Sequence, residues 1–162
     1  MPSRGFSLRC SGSNWEGVGV KPHIVVPAEE ALKTAHLLSQ EGLNVVGIPK
    51  TIDNDIPIPG GFSTFGFQTA RHVGVELVSN IMEDSRTMGR WYFISTMGRH
   101  TGHLALGIGK AAGATISLIP EEFTEAKVSI RKVSDILTCS IIKRLSMDKD
   151  HGVAIMAEGE ER

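Results

Sequence analysis

A lysine, a hydroxyl and two carboxylates lie within six residues, directly after an apolar run. Val45-Val46-Gly47-Ile48 leads into Pro49-Lys50-Thr51-Ile52-Asp53-Asn54-Asp55. Asp53 and Asp55 alternate along the chain, so an extended loop would turn both toward one ligand or metal, and two close carboxylates perturb each other's proton affinity. A general base beside a cation is what phosphoryl transfer requires. The segment therefore suits that chemistry.

The same residues also have a structural interpretation. Asp and Asn often serve only to form turns, because their side chains bond to nearby backbone groups. On that interpretation Asp53, Asn54 and Asp55 shape a loop, and Lys50 is a solvated surface charge. Residue types alone leave both interpretations open.

Three segments together resemble the phosphofructokinase family. Pro49 to Asp55 reads P-K-T-I-D-N-D, which resembles the family's catalytic loop P-[GK]-T-I-D-N-D. Met97-Gly98-Arg99 resembles its sugar-phosphate motif, and Val153 to Gly159 resembles a later strand that ends in a substrate-binding glutamate, here Glu158. The segments occur in family order and at roughly family spacing, so the resemblance covers approximately residues 24–162.

The resemblance implies a role for each matching residue. Asp53 would take the proton from a sugar hydroxyl as general base, and Asp55 would hold Mg²⁺ directly or through water. Arg90 falls where an arginine of the family reaches the substrate phosphate of an adjacent subunit, which implies a homo-oligomer. Fructose 6-phosphate would be held by Thr51, Asp53, Arg90, Met97, Gly98, Arg99 and Glu158.

The phosphoryl donor depends on Lys50, Glu29 and Glu30. Family members that use ATP mostly carry glycine at the position of Lys50, whereas members that use pyrophosphate carry a lysine that can neutralise the leaving phosphate. Counting back without gaps, the resemblance makes Glu29 a metal-binding acid and Glu30 an acid that repels a nucleotide. However, Pro27 and Ala28 replace two glycines of a phosphate cradle, and acids in a first helical turn also simply complement the helix dipole. Both interpretations of the two glutamates stay open.

Composition excludes several other classes of function. The chain has 162 residues, of which 41% are hydrophobic and 22% charged, so it can bury a core as a soluble protein. The net charge of −1 gives no electrostatic case for binding nucleic acid or an anionic membrane. No apolar run is long enough for a membrane span. Cys10 and Cys139 lie far apart without metal-ligand spacing, and we expect a cytoplasmic protein.

Strand and helix patterns alternate along the chain, which predicts an α/β fold with a mainly parallel sheet. We expect strands at 23–26, 44–48, 91–96, 115–119 and 153–157, and helices at 28–40, 65–85, 102–112 and 129–147. The resemblance implies parts of two α/β domains: an irregular segment at 1–22, a first domain with the catalytic loop at 23–62, and a substrate domain at 63–162.

The resemblance thus implies phosphoryl transfer from pyrophosphate, with Mg²⁺, to the C1 hydroxyl of fructose 6-phosphate. Lys50, Asp53 and Asp55 are the predicted catalytic residues. Two alternatives remain, which are an ATP-dependent phosphofructokinase and an inactive sugar-phosphate-binding module. Because family members are about twice this length or more, the chain looks truncated at both ends.

Overall fold

The structure, a computed structural model, describes residues 25–26, 29–124 and 128–159. The expectation of an irregular segment at 1–22 lies outside these residues. The strands are β1 (Val25–Val26), β2 (Val46–Gly47), β3 (Lys50–Thr51), β4 (Phe65–Gly66), β5 (Trp91–Thr96), β6 (Ile116–Leu118) and β7 (Gly152–Ala157). The helices are α1 (Glu29–Gln40), α2 (Phe67–Met88), α3 (His103–Ala112) and α4 (Ile130–Leu145), with a 3₁₀ turn at Pro120–Glu122.

Every strand pairing in the described part of the chain is parallel, which confirms the α/β class. The strands form three small sheets: β1 beside β2, β3 beside β4, and a three-stranded sheet in the order β5-β7-β6. Parallel neighbours require crossover connections. Helix α1 lies between β1 and β2, and α3 and α4 lie between β5 and β7, whereas a loop without a helix joins β3 to β4. The predicted alternation of strands and helices is thus observed, except that β3 and β4 were not predicted.

The hydrophobic core surrounds the central strand β7. Val153, Ala154 and Ile155 are at most 1% exposed, and α2 and α3 pack against this strand. Gly109 of α3 faces Ser117 so closely that an added Cβ would overlap the Ser117 hydroxyl. The close packing of α3 against β6 therefore leaves no room for a side chain at position 109.

The buried faces of two helices differ from what apolar spacing predicts. In α2, Ala70, Val73, Leu77 and Ile81 recur at helical spacing, which predicts one buried face. Val73 and Leu77 are nevertheless 48% and 60% exposed, whereas Val78 and Ser85 are buried. The buried face is rotated because α2 packs against α3 and β7 along Gly74, Val78 and Ser85 rather than along its most apolar row. Helix α4 has no buried residue.

The chain segment around Phe65 also differs. The periodicity predicts helix from residue 65, but Phe65 and Gly66 pair with Lys50 and Thr51 as β4 before α2 begins. Apolar spacing cannot reveal this pairing, because β3 and β4 are two residues each.

Among the described residues, no helix is both long and apolar enough to cross a bilayer.

Candidate active site

The acid-rich loop is closed at its base by the β3–β4 pairing. Lys50 lies opposite Phe65 and Thr51 opposite Gly66, and the Phe65 N–H donates to the Pro49 carbonyl at 2.9 Å. Gly66 then turns the chain into α2 with a φ of 104°, a conformation that strongly favours glycine. The β3–β4 pairing thus fixes the two ends of the loop relative to each other.

Thr64 shapes the inside of this loop. It is 3% exposed, and its hydroxyl donates to the Thr51 carbonyl at 2.6 Å. Its N–H donates to the Asn54 side-chain oxygen at 2.9 Å. Asn54 adopts a φ of 57°, a left-handed conformation that Asn tolerates better than most residues. Asn54 therefore forms the turn between Asp53 and Asp55.

Asp53 is buried inside this turn. Its residue exposure is 8%, and its N–H donates to the Thr51 hydroxyl at 3.1 Å. The buried Oδ1 atom of Asp53 has no hydrogen-bond partner among the described residues. Burying a carboxylate oxygen without a hydrogen-bond partner costs folding free energy. The site therefore suits a proton, a substrate hydroxyl or a cation that binds this oxygen.

Burial raises the pKa of the Asp53 carboxyl above its ordinary value, and the nearby Asp55 carboxylate raises it further. A side-chain hydrogen bond between Thr51 and the Asp53 carboxyl and the positive charge of Arg99 lower this pKa, while Glu158 adds a smaller upward effect. Residues from three distant parts of the sequence therefore act on one carboxylate. Such a perturbed acid is a typical sign of a functional site.

The register of the three-stranded sheet explains why Arg99 and Glu158 come near Asp53. Thr96 at the end of β5 lies opposite Ala157 at the end of β7, and the Glu158 N–H donates to the Thr96 carbonyl at 2.8 Å. Met97 and Glu158 thus leave adjacent parallel strands at the same edge. This edge is where open α/β sheets place their ligands.

The loop after β5 turns tightly into α3. The Thr101 N–H donates to the Gly98 carbonyl at 2.8 Å, and Arg99 has a φ of 48°. Gly98 is buried, and a Cβ there would overlap the backbone carbonyl of Thr101. Met97 is 60% exposed and Arg99 is also exposed, so both side chains are available to a ligand.

The structure also brings residues to this site that the sequence analysis missed. The Thr101 hydroxyl donates to the Asp53 carbonyl at 3.0 Å, and His103 Nδ1 lies 3.0 Å from the Asn54 carbonyl. Thr64, described above, is a third. Thr101 and His103 closely follow the Met97-Gly98-Arg99 motif, which was the available signal. Thr64 has none, because its role depends on the β3–β4 pairing.

Arg90 lies elsewhere. It precedes β5, whereas Met97 to Arg99 follow it, and six strand residues span roughly 20 Å. Its backbone is fixed by Ser85, whose hydroxyl donates to the Arg90 carbonyl at 2.7 Å. The side chain is exposed. Arg90 therefore lies at the opposite end of β5 from the cluster around Asp53.

The predicted donor residues are described only in part. Lys50 is exposed at the base of the loop. Glu29 and Glu30 begin α1, but their side chains, and Pro27 and Ala28 entirely, lie outside what the structure describes. Because β1 and β2 are parallel, the chain leaving β1 toward α1 and the chain leaving β2 toward Lys50 emerge at the same edge.

The residues present can accommodate Mg²⁺ only together with other ligands. No group of three metal-ligating side chains occurs in the described part of the chain. Mg²⁺ usually binds one or two carboxylates, substrate phosphates and several waters. The partly buried Asp55 and the unpaired oxygen of Asp53 fit that pattern.

The chain is similar to known proteins of one family. Residues 12–162 match the family described as phosphofructokinase. The chain is 50% identical over 145 residues to the pyrophosphate–fructose 6-phosphate 1-phosphotransferase of Thermotoga maritima, covering 88% of this chain and 34% of that protein. It is 38% identical over 144 residues to ATP-dependent 6-phosphofructokinase 3 of Streptomyces coelicolor, covering 89% and 39%. The chain thus spans between a third and two fifths of these two relatives.

Solved structures show the same fold. A phosphofructokinase from Saccharomyces cerevisiae superposes with a TM-score of 0.70 at 28% identity, over 83% of this chain and 20% of that one. A pyrophosphate-dependent phosphofructokinase from Marinobacter aquaeolei gives a TM-score of 0.55 at 21% identity, over 78% and 32%. The second likeness concerns the fold alone.

Proposed function

The chain belongs to the phosphofructokinase family, and from that premise we propose that it transfers a phosphoryl group from pyrophosphate to the C1 hydroxyl of fructose 6-phosphate. The products would be fructose 1,6-bisphosphate and orthophosphate. The observation that carries this proposal is the burial of Asp53 with one unpaired carboxylate oxygen, near Asp55 of its own loop and near Arg99 and Glu158 from two distant segments.

Asp53 is the proposed general base. As the C1 oxygen forms its bond to phosphorus and the bond to the leaving phosphate breaks, the C1 hydroxyl proton passes to the Asp53 carboxylate. The raised pKa of Asp53 supports this role, because a base works best when its pKa approaches the working pH. The unpaired buried oxygen of Asp53 supports this role too. It is a hydrogen-bond acceptor without a partner among the described residues, and a substrate hydroxyl would supply the donor.

The edge formed by β5 and β7 is the proposed sugar-phosphate site. Arg99 is exposed there and can bind a phosphate through two parallel N–H groups. Glu158 would accept hydrogen bonds from sugar hydroxyls, and Thr51 would bind a phosphate oxygen. Met97 and Gly98 would complete the wall of the site. Positioning of this kind supplies much of the rate in phosphoryl transfer.

The donor side rests on Lys50, Asp55 and the start of α1. Lys50 would neutralise the leaving phosphate, and Glu30 would disfavour a nucleotide. Mg²⁺ would neutralise charge on the transferring phosphoryl group when bound, with Asp55 and Glu29 as its proposed protein ligands. The pyrophosphate-using relative from Thermotoga maritima favours this donor, being 50% identical compared with 38% for the ATP-dependent relative from Streptomyces coelicolor.

The test is fructose 1,6-bisphosphate formation by the purified chain with Mg²⁺ and either pyrophosphate or ATP. We expect turnover with pyrophosphate that is abolished in Asp53→Ser. No turnover with either donor from a folded chain, combined with measurable fructose 6-phosphate binding, would instead support a binding module.

A second variant tests the donor. If pyrophosphate is the donor, Lys50→Gly should reduce kcat/KM for pyrophosphate by roughly 10- to 100-fold, because it removes a cation that stabilises the transition state. The matched control is Lys110→Gly, since Lys110 is an exposed lysine in the last turn of α3, away from the loop. Activity with ATP that Lys50→Gly leaves intact or improves, in a chain without pyrophosphate turnover, would identify the ATP-dependent alternative.

A further inference from the structure

The residues that begin α3 lie between the two halves of the proposed site. The Thr101 hydroxyl is 3.0 Å from the Asp53 carbonyl and 3.3 Å from the Gly98 carbonyl. A hydroxyl carries one hydrogen, and the shorter contact is the one to Asp53. The Thr101 side chain thus links the loop that carries Arg99 to the backbone of Asp53, the proposed base.

A second contact runs in parallel. His103 Nδ1 lies 3.0 Å from the Asn54 carbonyl, and because a carbonyl can only accept, the ring must carry its proton on that nitrogen. Asn54 is the left-handed residue between Asp53 and Asp55. Thr101 and His103 therefore hold consecutive carbonyls of the acid-rich loop.

These two residues are themselves anchored. Between them, the Gly102 N–H donates to both carboxylate oxygens of Glu121, at 2.8 and 3.1 Å. Ile119 and Glu121 surround Gly102 so closely that a Cβ there would overlap Ile119. Glu121 and Ile119 therefore hold the start of α3 in place, and Thr101 and His103 bind the acid-rich loop to it.

We propose that Thr101 is a positioning residue that sets the separation between the base Asp53 and the phosphate-binding Arg99, with His103 as a second tether. This inference rests on the proposed function for the roles of Asp53 and Arg99. The tethering itself is a property of the fold and can be measured without turnover.

The experiment compares Thr101→Val, Thr101→Ala and Thr101→Ser with the unmodified chain by amide hydrogen exchange. The Thr64 N–H reports the loop, because it donates to Asn54 Oδ1, and the amide of Ile155 in β7 reports the core. Loss of one hydrogen bond typically changes a local equilibrium roughly tenfold. We expect Thr64 to exchange about tenfold faster in the valine and alanine variants, with Ile155 unchanged, and Thr101→Ser to restore most of the protection.

Thr87→Val is the matched control, since the Thr87 hydroxyl donates within α2, to the Glu83 carbonyl. Equal acceleration at Thr64 and Ile155, or no acceleration at Thr64, would overturn the tether. In a chain that turns over, kcat should also fall roughly tenfold in Thr101→Val, with a smaller change in KM for fructose 6-phosphate. A chain without turnover would contradict the proposed function, while the exchange comparison would still decide the role of Thr101.

Discussion

At the scale of single residues, Asp53 is held under opposing influences. Burial and Asp55 disfavour its charged form, while Thr51 and Arg99 favour it. The balance leaves the carboxyl with a raised pKa, yet still beside a cation. A carboxylate tuned in this way costs stability and is suited to taking a proton from a weak nucleophile.

Asp53→Asn should separate these two properties. We expect kcat to fall by roughly 10²- to 10⁴-fold, the usual contribution of a general base, because an amide cannot accept the proton. We also expect the free energy of unfolding at pH 7 to rise, because the buried charge is removed. Assay of fructose 1,6-bisphosphate formation and chemical denaturation measure the two effects.

The sign of the pH dependence follows from the raised pKa. A group whose folded-state pKa is above its unfolded value contributes stability that is fully present below the unfolded pKa and is lost as pH rises through the folded pKa. The stability advantage of Asp53→Asn should therefore be largest near neutral pH and vanish below the ordinary pKa of aspartate. An advantage that is equal at low and neutral pH would contradict the buried-charge explanation.

At the scale of elements, the site depends on two parallel strands ending in register. Thr96 and Ala157 bring the turn at Gly98 and the carboxylate of Glu158 to one edge, and the Thr101 carbonyl closes over Gly98. The turn leaves no room for a side chain at Gly98. A side chain at position 98 would therefore shift the backbone of the turn and change the direction of Arg99.

Gly98→Ala should weaken fructose 6-phosphate binding by roughly tenfold, since overpacking typically costs about 1–3 kcal/mol and the turn must shift to relieve it. Calorimetric titration with fructose 6-phosphate measures the change. Gly159→Ala is the matched control, because a Cβ at Gly159 meets nothing within 4 Å. Equal affinity in Gly98→Ala and Gly159→Ala would show that the tight turn does not govern binding.

At the scale of the whole molecule, the position of Arg90 is informative. It lies at the opposite end of β5 from Arg99, so one chain cannot bring both arginines to the same phosphate without breaking the sheet. The proposed contribution of Arg90 therefore requires a second copy of the chain. A homo-oligomer thus follows from the position of Arg90 only if Arg90 binds the substrate phosphate, as the resemblance implies.

Mixing two inactive variants tests that proposal. In a dimer of Asp53→Ser with Arg90→Ala chains, one of the two sites combines an intact Asp53 with an intact Arg90. Random mixing should restore about a quarter of the original activity if each site takes Arg90 from its neighbour. Mixing Asp53→Ser with Arg99→Ala chains should restore none, because those residues belong to the same site. Equal recovery in the two mixtures would contradict the shared site.

The sequence by itself determined the family, the α/β class and most element positions. These depend on local patterns: β5 matches its predicted span of residues 91–96, and β7 and α3 each differ by one residue at the start. The resemblance to the family also predicted Asp53, Arg99 and Glu158 as site residues, because each lies in a short motif that is continuous along the chain.

Only the tertiary structure decided how those residues meet. The β3–β4 pairing, the burial of Thr64 and the tethers from Thr101 and His103 join residues 10 to 49 positions apart. The buried face of α2 was likewise set by its contact with α3 and β7, which overrode its own periodicity. Pairing and burial are long-range events, and a local pattern carries no record of which partner will be present.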